Sequence, residues 1–281
     1  MPVRQAPAKI NLALVVGPTR PDGKHEVVTL YQRISLADEV SLELAPAGAA
    51  SGVEVEGFPD DTLVTRAVEA VAAAALRAGA TVPTGWRARI EKRIPVAAGL
   101  GGGSTDAAAA LLLANGLLGG VVPDVEIQRI AAALGADVPF FLESQPCLGS
   151  GEGSELAPVV GLPLDYAILL LRPVGVVKPS TGAIYAAFDE RAGARGWESR
   201  RDVLQAALAA VRAPADLAAL PANDLASSPL AQQLRDAGAF RADVTGAGPL
   251  LYGLFADDMA AAAAALALAP LGETWLCRPT C

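Results

Sequence analysis

The stretch Pro95-Val96-Ala97-Ala98-Gly99-Leu100-Gly101-Gly102-Gly103-Ser104-Thr105-Asp106 places four glycines in five residues and runs into Ala107-Ala108-Ala109-Ala110-Leu111-Leu112-Leu113. Without side chains, backbone N–H groups can crowd round a ligand, and glycine accepts positive φ. Ser104, Thr105 and Asp106 are residue types that start helices by accepting from free N–H groups. The Ala/Leu run that follows is a strong helix former. The stretch reads as glycine loop, cap and helix, with the helix predicted over 105–118. Unpaired donors and partial positive charge at a helix start suit a phosphate. A plain glycine turn ahead of a capped helix is the other reading.

Two commoner phosphate motifs do not fit. A P-loop ends in Gly-Lys-Ser/Thr, and the one Gly-Lys pair, Gly23-Lys24, is followed by His25. A dinucleotide fingerprint needs a strand directly before its glycines and an acid on a second strand about twenty residues on. Here the basic strand Trp86–Ile94 ends at Pro95, four residues before Gly99, and Gly119-Gly120-Val121-Val122-Pro123-Asp124 reads as a turn.

Other groups could act on a bound phosphate. In the predicted strand 8–16, Lys9 and Asn11 share one face while Ala8, Ile10, Leu12 and Leu14 share the other. That face presents a cation and an amide side by side, or it is the solvated face of an edge strand. His25, the single histidine, follows the turn 18–24 and opens a long β segment reaching residue 44. Asp137 lies in Gly135-Ala136-Asp137-Val138-Pro139-Phe140-Phe141-Leu142. It is either an N-cap for a short turn or a carboxylate in apolar surroundings, which needs a partner. Lys9 is an available one.

The elements that must position these groups alternate along the chain. Asp60-Asp61-Thr62 caps a helix to about residue 77, with Val64, Ala67, Val68 and Val71 on one stripe. A second helix follows the glycine loop and a third runs over 124–134. Cys147–Gly153 reads as a hairpin turn, and 156–163 as a linker. Beyond it come strand 165–171, a helix opened by Ser180 and Thr181, helices 199–211 and 226–237, a glycine turn at Thr245-Gly246-Ala247-Gly248, strand 250–255, helix 257–268 and strand 274–277. This order predicts an α+β fold in two domains, 1–158 and 159–281.

The chain has 281 residues and a formal net charge of −8, which argues against a nucleic-acid or anionic-membrane partner. Its longest apolar run, Met259–Leu268, is about half of what a bilayer needs, and the first residues form no signal peptide. Three cysteines, Cys147, Cys277 and Cys281, and one histidine do not make a zinc site or a Ser-His-Asp triad. Free thiols of a cytoplasmic protein are the expectation, a Cys277–Cys281 bridge the alternative.

Pro-x-x-x-Gly-Leu-Gly-x-x-Ser resembles the central nucleotide loop of the GHMP kinases. Within that superfamily, Gly-Leu-Gly-Gly-Gly-Ser-Thr-Asp-Ala-Ala is similar to the loop of the 4-diphosphocytidyl-2-C-methyl-D-erythritol kinases. Ala8-Lys9-Ile10-Asn11-Leu12, Gly135-Ala136-Asp137-Val138-Pro139 and Thr245-Gly246-Ala247-Gly248 match further motifs in the family's order. The resemblance implies a two-domain GHMP kinase fold with the active site in the cleft between the domains. It implies ATP with Mg2+, the nucleotide on Pro95–Thr105 and Ser104 a candidate neighbour of the metal. Lys9 and Asp137 become the catalytic pair, and Asn11, His25, Thr181 and Tyr185 contacts to a small diphosphocytidyl substrate. A monomer or weak homodimer in the cytoplasm is expected. Four positions depart from the pattern: Lys24 stands where the family has an aromatic, Thr62 where it has Asn, and Thr245 and Ala247 where it has serines. A homoserine-kinase-like enzyme is the nearer alternative, and a non-catalytic nucleotide sensor the more distant one.

Overall fold

A computed structural model describes residues 1–46, 50–59, 61–176 and 179–281. In chain order the elements are β1 (Val3–Thr19), β2 (His25–Leu44), β3 (Gly52–Glu56), α1 (Thr62–Arg77), β4 (Gly85–Glu91), α2 (Gly102–Leu117), α3 (Asp124–Leu134), β5 (Cys147–Ser150), β6 (Glu155–Pro158), β7 (Ala167–Pro173), α4 (Thr181–Glu190), α5 (Trp197–Ala210), α6 (Leu230–Asp236), β8 (Arg241–Val244), β9 (Leu251–Phe255), α7 (Asp258–Leu268), β10 (Gly272–Cys277) and β11 (Pro279–Thr280).

Two compact units share this chain. One comprises Met1–Ala8, Leu36–Pro95 and Gly101–Ser144; the other comprises Lys9–Ser35, Val96–Leu100 and Gln145–Cys281. They are not consecutive segments. The boundary falls inside the long strands β1 and β2 and on both sides of the glycine loop. Compactness therefore divides the chain differently from a cut near residue 158.

In the first unit, β4 pairs antiparallel with residues 39–44 of β2 and parallel with β3. Helices α1, α2 and α3 pack on one another. Helix α1 buries Val64, Ala67, Val68, Val71, Ala74 and Ala75, the stripe its spacing predicts. Asp61 caps it, its Oδ1 accepting from Leu63 N at 2.7 Å and Val64 N at 2.9 Å; Asp60 lies outside the described residues. Thr105 to Leu111 of α2 are all buried, as a helix apolar on every side requires.

In the second unit, residues 29–31 of β2 pair with β5, and β5 and β6 form the expected hairpin. A second sheet has the order β10-β7-β9-β8, all antiparallel. Strand β7, buried from Ala167 to Leu171, is its core; α7 packs against β7, and α6 against β8 and β9. Helix α4 is seated by Phe188, which joins Leu14, Val16, Val27 and Leu225 in one cluster. One expected helix is shorter than its pattern, 226–237 becoming Leu230–Asp236 behind Pro229, and another is displaced, 199–211 becoming Trp197–Ala210. Cys147, Cys277 and Cys281 take part in no disulfide, so the Cys277–Cys281 alternative does not form.

Candidate active site

Helix α2 begins at Gly102, three residues earlier than its composition predicts. Its N-cap is Gly101, at φ 73°, and no side chain caps this end. Ser104 therefore lies in the first turn, while Thr105 and Asp106 are buried and cap nothing. Glycine is poor in a helix interior, but first-turn N–H groups have no intrahelical partner in any case. A Cβ on Gly102 would lie 3.3 Å from Lys92 Nζ and Ile94 Cγ2, and one on Gly103 3.4 Å from Leu63 Cδ1. Uncapped amides, the positive end of a helix and a first turn that carries no side chain at Gly102 or Gly103 together fit a phosphate chain.

Asp106 has another task. Its Oδ2 accepts from Lys92 Nζ at 2.7 Å, and Lys92 also donates to Asp38 Oδ2 at 2.5 Å. Asp38 Oδ1 accepts from Arg93 N at 2.6 Å and Ile94 N at 2.8 Å. Burial pushes the Asp106 carboxyl up to about 7; Lys92 pulls it down, and Asp38 and Asp61 push it further up. Burial alone would lower Lys92, but its two carboxylates outweigh that and hold it above the ordinary lysine value. Asp137 is half-buried between α3 and the 3-10 turn Pro139–Leu142. The N-cap position of that turn is Val138, one residue past Asp137.

In the second unit the expected solvated face of β1 is buried: Lys9 is 3% exposed and Asn11 4%. Lys9 Nζ donates to Asn11 Oδ1 at 2.7 Å and stands 5.7 Å from the Tyr31 ring centroid. Asn11 Nδ2 donates to Thr29 Oγ1 at 2.7 Å, and Thr29 Oγ1 donates in turn to Ala13 O at 2.8 Å. Asn11 N donates to Thr245 Oγ1 at 3.1 Å. The amide oxygen of Asn11 is thus an acceptor for the lysine. Lys9 N also donates to Leu100 O at 2.9 Å, tying the strand to the loop. Gly99 is at φ 81°, and a Cβ there would lie 2.6 Å from Thr245 O; only glycine fits. Ala97 holds φ 58°, unusual for a residue with a side chain.

His25 is buried at the start of β2, its Nε2 2.8 Å from Asp189 Oδ1 of α4. Tyr185 stacks on it, centroids 4.8 Å apart, and Phe188 meets it edge-on at 5.8 Å. The structure therefore brings His25 and Tyr185 together. Thr181 is the exposed first residue of α4, behind the cap Ser180, and joins no such cluster. Lys24 is exposed and pairs with Glu152. Thr62 opens α1, exposed, beside Leu63.

Sequence reasoning missed Asp38 and Lys92, which lie 54 residues apart, and the supports Thr29, Thr245 and Asp189. One signal was present: an Asp inside a helix that is otherwise apolar must find a cation.

The GHMP kinases N terminal domain family matches residues 62–145. A 4-diphosphocytidyl-2-C-methyl-D-erythritol kinase of Paenarthrobacter aurescens (strain TC1) is 37% identical over 97% of this chain and 91% of its own length. One of Pelotomaculum thermopropionicum is 38% identical over 90% of this chain and 88% of its own length. The crystal structure of a 4-(cytidine 5'-diphospho)-2C-methyl-D-erythritol kinase superposes with a TM-score of 0.76 at 31% identity, covering 100% of both chains. A mevalonate kinase structure shares the fold, with a TM-score of 0.73 at 13% identity over 100% of this chain and 99% of its own.

Proposed function

We infer the function of this chain from its family: it belongs to the 4-diphosphocytidyl-2-C-methyl-D-erythritol kinases, a branch of the GHMP kinases. It is an ATP-dependent kinase that phosphorylates the 2-hydroxyl of 4-diphosphocytidyl-2-C-methyl-D-erythritol in non-mevalonate isoprenoid precursor synthesis. The structural observation that best supports this reading is the uncapped, glycine-built start of α2. Phosphoryl transfer asks a protein mainly for positioning and electrostatics, and that helix start offers both.

In this reading Pro95–Thr105 receive the nucleotide, with the phosphates on the first-turn amides of α2. Asp137 takes the proton of the 2-hydroxyl as its oxygen bonds to the γ-phosphorus of ATP and ADP leaves. Lys9 holds that oxygen and balances charge on the transferring group. Asn11 orients Lys9 by accepting one of its protons, a role added to the substrate contact expected for it. His25 and Tyr185 hold the cytosine end, with Thr181 at the head of α4. Ser104, in the first turn of α2, would hold the magnesium that accompanies ATP, and the metal would supply positive charge against the phosphates. As functional regions, 1–158 take the nucleotide and 159–281 complete the substrate site. The enzyme is read as a cytoplasmic monomer or weak homodimer without nucleic-acid or membrane partners. The net charge of −8 supports this, and no helix of the described residues is long and apolar enough to cross a membrane.

The test is ADP release with Mg-ATP and, separately, the diphosphocytidyl alcohol, homoserine and mevalonate, with phosphorus NMR of the product. The expected result is turnover of the cytidine compound alone and a new phosphomonoester on its 2-oxygen. Turnover of homoserine in its place would overturn the reading.

A further inference from the structure

Both ends of the glycine loop are tied to one buried cluster of charges. At the entry, the Arg93 and Ile94 amides donate to Asp38 Oδ1 at 2.6 and 2.8 Å. At the exit, Asp106 of α2 accepts from Lys92 Nζ at 2.7 Å. Lys92 closes the link by donating to the other oxygen of Asp38 at 2.5 Å. Asp38 and Asp106 are both 0% exposed. Lys92 Nζ lies against Gly102, 3.3 Å from where a Cβ would stand, and 5.6 Å from the Phe58 ring centroid.

Such a cluster is a poor device for stability. Desolvating three charges costs several kcal/mol per ion. One ammonium serves two carboxylates, and Asp106 Oδ1 is buried without a hydrogen-bond partner among the described residues. Well-packed apolar residues would hold α2 as firmly. What the ions add is direction. Charge-assisted bonds of this length fix angles as well as distance, and here they run from the loop's entry strand, through Lys92, into the second turn of α2.

We propose that Asp38, Lys92 and Asp106 form a clasp that fixes the loop entry against the first turn of α2, and that Asp106 is thereby a positioning residue for nucleotide binding. The proposal rests on the reading that the phosphates lie at the start of α2. It assigns Asp106 no contact with the nucleotide. Asp106 acts through Lys92, keeping the Gly102, Gly103 and Ser104 amides in register with the loop that leads to them.

Asp106→Ala removes the tie and leaves the Asp38–Lys92 pair intact, in a helix that alanine favours. Asp106→Asn keeps a side-chain oxygen where Lys92 can donate to it. The measurements are the Kd for Mg-ADP by calorimetry, KM for ATP, kcat and thermal unfolding. Asp106→Ala is expected to unfold no earlier than wild type, to bind Mg-ADP about tenfold more weakly with KM for ATP raised alike, and to keep kcat at saturating ATP within about twofold. Asp106→Asn is expected to recover affinity to within about threefold of wild type. A folded Asp106→Ala with wild-type Kd overturns the proposal. So does failure of Asn to restore affinity, since a side-chain oxygen within reach of the Lys92 ammonium is all that the clasp requires at this position. An Asp106→Ala chain that cannot fold overturns it as well, because the cluster would then be holding the fold and not the cradle. Wild-type turnover of the cytidine substrate and wild-type Mg-ADP affinity test the underlying reading separately.

Discussion

Gly103→Ala separates the needs of the fold from those of the nucleotide, because the two respond with opposite sign. Gly103 lies in the first turn of α2 and is not among the glycines at positive φ. A Cβ there would meet Leu63 Cδ1 at 3.4 Å and Asp61 Oδ2 at 4.0 Å, ordinary contact distances. The fold thus accepts the methyl and gains helix propensity, up to about 1 kcal/mol. That corresponds to a Tm rise of roughly 2–4 °C for a large domain. The nucleotide does not accept it. The methyl narrows the space between the starts of α2 and α1, where the amides must be approached closely. Losing one charge-assisted hydrogen bond costs about 1.5–3 kcal/mol, or roughly 10- to 100-fold in affinity. Calorimetry with Mg-ADP and thermal unfolding of the same sample measure both. A raised Tm with unchanged affinity would refute the placement of the phosphates. Gly102→Val is a less clean probe, since its side chain starts 3.3 Å from Lys92 Nζ. Gly99→Ala is the opposite control: φ 81° and a carbonyl at 2.6 Å should destabilise the fold itself.

Asp137→Asn should lower kcat by about 10²–10⁴-fold and leave Mg-ADP affinity within about twofold; turnover near wild type would leave Asp137 without a role in the chemistry. Asp106→Asn should shift stability with pH. A carboxyl at about 7 in the folded chain, against an ordinary 3.8, stabilises the fold at low pH and loses that contribution as pH rises through this window. The stability of the variant relative to wild type should therefore be larger at pH 8 than at pH 5, by at most roughly 3 kcal/mol over that interval; a pH-independent difference in Tm would show Asp106 ionised throughout. Lys24→Tyr exchanges an exposed ion pair with Glu152 for a ring where the family has one. KM for the cytidine substrate should fall, while Tyr185→Ala should raise it, each with kcat nearly constant. Base stacking is worth about 1–3 kcal/mol, and an unmoved KM in both variants would put the base elsewhere.

The parts of this protein that were legible in its sequence are those whose cause is local. Asp61 ahead of an apolar stripe is enough to cap α1, and Gly151 and Gly153 are enough to turn the β5–β6 hairpin. The start of α2 was misplaced because intrinsic propensity disfavours Gly102 and Gly103. In the fold they occupy a first turn, whose N–H groups have no intrahelical partner in any case. Compact units could not be read from chain order, because β1 and β2 are each long enough to serve both.

The candidate residues could be picked from the sequence by type and spacing, and their wiring could not. Lys9 and Asn11 were read as two groups presented to a ligand, since alternation shows only that they share a face. The folded chain buries that face and turns the Asn11 oxygen towards Lys9, with Thr29 and Thr245 behind it. Asp106 was read as a helix starter because it follows Ser and Thr, yet its partner Lys92 is fourteen residues away and Asp38 a further fifty-four. No short motif can encode a contact at that separation. One inference was nonetheless open: a carboxylate followed by Ala107-Ala108-Ala109-Ala110 must be buried with its helix, and a buried carboxylate demands a cation. The nearest lysine upstream is Lys92, on the other side of the loop that the helix terminates. A kinase that works by positioning has reason to put an ionic tie at that place, because the tie fixes the ends of the loop without occupying the ground the nucleotide needs.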